Sequence, residues 1–135
     1  MRRFLTLILV LIAATLPARG DESADAIQSV SAAQIEALQA NDLTAAFSHA
    51  SPTIQSKFGT PEFFGQMVRT GYPAIWRPSR YEMLELADTA GDPVQTVFFQ
   101  DRGGRLFEAA YQMQMVDGVW RINGVILRAY PGVGS

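Results

Sequence analysis

RLFEAAYQMQMVDGVWRINGVILRAY, residues 105–130, decides the fold. Two runs of alternating apolar and polar residues flank Asp117-Gly118. Asp-Gly in that setting is the signature of a two-residue type I′ hairpin turn. Folding the chain there sets Met115 opposite Trp120, Met113 opposite Ile122, Tyr111 opposite Gly124 and Ala109 opposite Ile126. One face is then apolar throughout, as a buried sheet face requires. The other pairs Gln114 with Arg121 and Gln112 with Asn123 and is largely wet.

Two more strands precede this hairpin. Val94 to Asp101 runs into Arg102-Gly103-Gly104, and a three-residue loop there places Phe99 opposite Phe107 and Val97 opposite Ala109. A two-residue loop would bring in Phe98 and Thr96. The longer loop is preferred because it buries two apolar residues and puts glycine where a positive φ is needed. Arg80 to Asp88 is the first strand, and Ala90-Gly91-Asp92-Pro93 is the turn that follows it. Pro131 to Ser135 reads as a frayed tail.

The first half is helical. From Asp25 to Ala40, Ile27, Val30, Ile35 and Leu38 form one apolar stripe. Asp42 caps a second helix carrying Leu43, Ala46, Phe47 and Ala50. Ser51-Pro52 and Thr60-Pro61 are paired cap-and-proline starts for two more, stopped at Gly59 and Gly71. The last of these shows the stripe Phe63, Phe64, Met67 and Val68. Tyr72 to Ser79, with two prolines and a tryptophan, reads as an extended connector. Helices followed by an antiparallel meander make an α+β domain with helices on one sheet face.

Length and charge narrow the function. The chain has 135 residues, enough for one domain. Residues 1–20 read as a signal peptide: Arg2 and Arg3, an apolar run from Phe4 to Leu16, and small residues Ala18 and Gly20 before the cut. That run is shorter than the ~20 residues of a comfortable membrane span, so the protein is expected to be exported to the periplasm or secreted, with no span after cleavage. The paired arginines admit a twin-arginine route, but the rest of that signal is poorly matched and the general secretory route fits better. The single domain is expected over residues 21–135, beginning with a loose leader from Asp21 to Ala24 and having its core over about 25–130. Residues 1–20 take three of eleven basic residues and none of thirteen acidic ones, so their removal leaves a net charge of −5. Such a surface argues against nucleic acid and anionic membranes as partners. There is no cysteine, hence no disulfide framework. Stability falls to the apolar core, and a domain of this size buries roughly 65% of its unfolded surface.

From about Ala46 to Val125 the chain resembles a bacterial family of small exported domains of unknown function (DUF4864-like). The resemblance is carried by Ala50-Ser51-Pro52, Ile54-Gln55, Phe58-Gly59, Met67-Val68-Arg69, Gly71-Tyr72-Pro73, Arg77-Pro78 and Trp120-Arg121-Ile122. It implies a cystatin-like or nuclear-transport-factor-2-like cone, a curved sheet wrapped around helices. It implies no activity.

No chemistry stands out. His49 is the only histidine, two residues beyond Phe47, and is expected at the surface or capping a helix. One His and no Cys leave no metal site. No cofactor motif is present, because Gly103-Gly104 lacks a phosphate-loop context. Glu82 and Glu85 are expected on opposite strand faces, Glu108 opposite Leu127 on the wet face, and Asp101 beside a loop, all solvated. The candidate ligand-binding residues are Tyr72, Trp76, Arg77, Arg80 and Tyr111. Aromatic faces beside guanidinium groups suit an anionic or planar ligand. The simpler role is packing: Tyr72 and Trp76 pin the connector to the core, while the arginines answer Glu82, Glu85 or helix-end carbonyls. Tyr111 either covers Gly124 or looks into a cavity lined softly by Met67, Met113 and Met115. Without an acid–base pair, binding of a small apolar or anionic molecule, or of a partner protein, is favoured over catalysis. The alternatives are a lyase or isomerase of the ketosteroid-isomerase type and a homodimer joined through Leu106, Ala110, Val119, Val125 and Leu127.

Overall fold

The computed structural model describes residues 19–88 and 91–131. The apolar run Phe4 to Leu16, expected as part of a signal peptide, part of the Ala90 turn and most of the tail lie outside them. Five helices come first: α1 (Arg19–Gln39), α2 (Leu43–Ser48), α3 (Pro52–Phe58), α4 (Pro61–Gly71) and α5 (Pro73–Trp76). Four strands follow: β1 (Pro78–Ala87), β2 (Val94–Asp101), β3 (Leu106–Val116) and β4 (Val119–Ala129). They form one antiparallel sheet in the order β1-β2-β3-β4, with the helices on one face.

The helix starts are built from side-chain caps. Asp42 accepts from the Ala45 N–H, Ser51 from Ile54 and Thr60 from Phe63, each satisfying a donor that the first helical turn leaves free. Gly59 ends α3 at φ 78°, a conformation glycine adopts without steric cost. Two expectations change. Asp21 to Ala24 is helical rather than a loose leader. All four residues lie within α1, continuous with the Ala, Gln, Ile and Leu content of the expected helix. The Tyr72–Ser79 connector contains a turn of helix, α5, because Pro73 occupies the first helical position, where its missing N–H costs nothing. Phe63 also departs from its expected stripe. It is 62% exposed, while Phe64 and Val68 are buried.

The hairpin turns at Asp117 (φ 50°) and Gly118 (φ 79°), the two positive φ values of a type I′ turn. Met115 pairs with Trp120 and Met113 with Ile122, but Gln112 then pairs with Gly124. Asn123 is an extra residue on β4, a β-bulge. Tyr111 therefore faces Val125, Ala109 faces Leu127 and Glu108 faces Arg128, one position off the regular pairing. Val125 and Leu127 turn inward, and Ile126 turns out, 58% exposed. The bulge has a local cause. The chain entering α3 runs beside β4 as a short parallel bridge, Ala50 to Ile122. Ile122 N–H donates to His49 O, Ser51 N–H to Ile122 O, and the Ser51 hydroxyl to Asn123 Oδ1 at 2.7 Å. The other hairpin keeps the three-residue loop, with Phe99 opposite Phe107, Val97 opposite Ala109 and Gly104 at φ 85°.

A second bulge bends β1. Met83 pairs with Val97 and Leu86 with Gln95, so two residues of β1 oppose Thr96 alone. Glu82 and Glu85 are consequently both exposed rather than on opposite faces. The core joins Ile27, Ile35 and Leu38 of α1 to Phe64, Ile75, Val97, Phe99, Tyr111 and Met113. Each such side chain contributes roughly 1.5–3 kcal/mol on burial. Met115 is 48% exposed, contrary to expectation, because it sits beside the hairpin tip.

Ser51 is fully buried and ties α3 to the bulge. Replacing it with alanine removes a helix cap and leaves Asn123 Oδ1 without its donor. The Ser51→Ala protein is expected to lose about 2 kcal/mol, read as a lower urea midpoint at unchanged slope.

Candidate functional site

Between the helices and the inner face of β3 and β4 lies a cavity of about 60 Å³. Its floor is buried: Leu38 of α1, Phe64 and Val68 of α4, Ile75 of α5, Tyr111 of β3 and Ile122 of β4. Its rim is half-exposed, formed by Ile54 and Phe58 of α3, Met67 of α4, Tyr72 and Val125. The β4 bulge builds this site, since it is the shifted phase that turns Val125 inward beside Tyr111.

The cavity is apolar except at a few atoms. Gln34 borders it and spends an amide hydrogen on Ala46 O at 3.1 Å. The Tyr72 hydroxyl donates to Val125 O at 3.1 Å, holding the rim to the edge strand. Tyr111 is different. It is completely buried, its ring stacks near Phe99, and its hydroxyl has no partner among the described residues. Burial, with a smaller contribution from Tyr81, pushes its ionisation far above the ordinary tyrosine range, so it is a neutral donor. Tyr111 does not cover Gly124. That glycine lies under Gln112, whose Oε1 would stand 2.7 Å from an added Cβ.

The other candidate residues do not converge on this cavity. Arg77 stacks over Trp76 at 4.4 Å and donates to Leu38 O, Trp76 O and Asn41 Oδ1, so its guanidinium closes the end of α1. Trp76 lines a separate groove with Leu43, Gly65 and Arg69. Arg80 lies over Phe98 on the opposite face of the sheet and donates to Gln100 Oε1 at 3.0 Å. Tyr72 and Tyr111 are the two brought together.

Elsewhere the charges are structural. His49 caps the C-terminus of α2, and burial, aided by Arg121, lowers its pKa. Glu108 is not solvated. It is buried on the outer face and paired with Arg128, whose Nε lies 2.6 Å from its Oε1. Asp101 is held below the usual carboxylate range, first by the Arg105 N–H. Among the described residues, no group of three His, Asp or Glu side chains is placed to hold a metal. No described helix is long and apolar enough to cross a membrane.

Sequence reasoning missed three polar side chains of the interior. Gln34 and Ser31 lie within the α1 apolar stripe, and a polar residue at a stripe position was the available signal. Gln95 shares the buried phase of Val97 and Phe99. Its amide fills the β1 bulge, donating to Leu84 O at 2.9 Å and Thr96 O at 2.8 Å, while its Oε1 is left without a partner.

A family model described as a domain of unknown function, DUF4864, matches residues 20–134. No curated protein matches the chain in sequence. Among solved structures, an NTF-2 like protein of unknown function from Silicibacter pomeroyi DSS-3 is similar, with a TM-score of 0.58 and 16% identity. The match covers 84% of this chain and 100% of that one. At that identity the likeness speaks to the fold alone, a nuclear-transport-factor-2-like α+β cone.

A buried hydroxyl with no partner lowers the stability of the empty protein. Tyr111→Phe, refolded free of small molecules, is expected to be more stable than wild type by roughly 1 kcal/mol, a rise of a few degrees in thermal midpoint. A lower midpoint would mean that the hydroxyl is already satisfied.

Proposed function

We propose, for a chain that belongs to the DUF4864 family of domains of unknown function, that it is an exported, non-catalytic binding domain. Its site is the cavity between α1, α3, α4 and the β3–β4 hairpin. One observation carries the reading: an apolar cavity between helices and sheet, with a buried floor, a half-exposed rim and no charged side chain in its lining. Concave, mainly apolar pockets bordered by a few polar groups are where small ligands bind. An isomerase would need a carboxylate or imidazole at the reacting atoms. No Asp, Glu or His lines the cavity, which favours binding over catalysis. Export is supported by the charged and apolar pattern of residues 1–20.

Native mass spectrometry of protein purified without denaturation, with a thermal-shift screen of small molecules, tests the site. A retained or added ligand should raise the midpoint of wild type. It should not raise that of Val125→Phe, where the larger side chain occupies the rim. Equal shifts in both proteins would move the site elsewhere.

A second reading, self-association, is favoured by Ile126. The bulge turns it to the outer face opposite Ala110, away from the helices, and Leu106 shares that face. Val125 and Leu127, expected on that surface, are withdrawn from it. Sedimentation equilibrium should show a concentration-dependent dimer that Ile126→Lys abolishes. A monomer at the highest attainable concentration would dispose of this reading.

A further inference from the structure

We infer that this cavity receives the methyl end of an unbranched alkyl chain belonging to a single-chain amphiphile, whose remaining methylenes lie across the rim toward Phe63 and whose polar head stays in water. The inference rests on the binding reading above and names the chemical class. The enclosed space is about 60 Å³, less than half of the ~150 Å³ that admits benzene in an engineered apolar cavity. An aromatic ring is too large for it, and an alkyl chain end is the thinnest organic group that fills it. The floor holds nothing that recognises a head group. Among the described residues no Asp, Glu, His, Lys or Arg lines the cavity, so a buried charge would lose its water and meet no partner. The Gln34 amide is engaged with Ala46 O and the Tyr72 hydroxyl with Val125 O. The Tyr111 hydroxyl is closed even to water and offers nothing to a ligand.

The rim accommodates a molecule longer than the enclosed space. Ile54 and Phe58, one turn apart on α3, and Met67 on α4 are apolar and half-exposed, so the cavity wall runs out onto the surface. Phe63 continues this track. It stands one helical turn before Met67, on the same side of α4, and is 62% exposed. Singly exposed apolar residues are ordinary, but this one extends the lip of an apolar cavity. Methionine adapts its shape to a chain passing over it at little cost. Beyond Phe63 a head group of either charge keeps its hydration.

Five probes separate the outcomes: xenon, 1-hexanol, 1-octanol, octanoate at neutral pH and benzyl alcohol, followed by NMR titration of the floor methyls of Leu38, Val68, Ile75 and Ile122. 1-Octanol should bind roughly 5- to 15-fold more tightly than 1-hexanol, since each buried methylene is worth up to about 4-fold. Octanoate should bind within about 5-fold of 1-octanol, because a charge left in water pays no desolvation. Benzyl alcohol should leave the floor methyls unmoved. Phe63→Gln alters an exposed side chain, so it should fold normally and bind 1-hexanol as wild type does, while the advantage of 1-octanol falls at least about 2-fold. Octanoate weaker than 1-octanol by about 100-fold or more, benzyl alcohol moving the floor methyls as strongly as 1-hexanol, or an octanol advantage unchanged in Phe63→Gln overturns the class. In each of those cases xenon or 1-hexanol at the floor methyls still upholds the cavity as the site. Failure of every probe, xenon included, to move them overturns the site and the class together.

Discussion

The extra residue at Asn123 governs the structure. Side chains on a strand alternate with period two, so one inserted residue exchanges the faces of everything beyond it. Past the bulge, Val125 and Leu127 join the core, Ile126 is exposed, and Arg128 comes opposite Glu108. The bulge is held from outside the sheet, by the backbone of His49 to Ser51 and by the Ser51 hydroxyl. Ser51 also caps α3, whose Ile54 and Phe58 form the cavity rim. A single contact between a helix start and an edge strand thus sets both the phase of the hairpin and one wall of the cavity.

The interior is less uniformly apolar than its composition suggests. Ser31, Gln34, Gln95 and Tyr111 are buried within it. Three of them donate to backbone carbonyls: Ser31 to Ile27 O one turn back in its own helix, Gln34 to Ala46 O of α2, and Gln95 to the bulged carbonyl of Leu84. This is what buried polar groups ordinarily do, since an unpaired one costs more than a paired one returns. The Tyr111 hydroxyl stands apart because it answers no carbonyl. Membership in a family of unknown function and a cone shared with a distant structure say nothing about why that hydroxyl is there. The cavity that Tyr111 borders is likewise a matter of this chain's own packing, which fold kinship alone does not supply.

Much of the architecture was legible in the letters. Asp42, Ser51-Pro52 and Thr60-Pro61 mark helix starts because their side chains or fixed φ act on the next three residues, a local chemistry. Asp117-Gly118 marks the turn for the same reason, and the three-residue loop at Arg102 follows from burying Phe99 and Val97 together. The candidate site was legible only in part. Tyr72 and Tyr111 meet at the cavity, but Trp76, Arg77 and Arg80, close to Tyr72 in sequence, diverge to a groove, a helix end and the opposite sheet face. Adjacency along a chain that turns through α5 into a strand does not imply adjacency in space.

By itself the sequence determined the α+β class, the order of elements, the hairpin turn and the apolar character of the interior, because caps, turns and periodicity act over a few neighbouring residues. Tertiary structure alone decided the phase of β4 beyond Ile122, the burial of Glu108 against Arg128, the exposure of Phe63 and Met115, and the existence of a cavity at Tyr111. Each of these depends on a contact between segments distant in sequence, above all Ser51 with Asn123, and no local preference of either segment encodes the meeting.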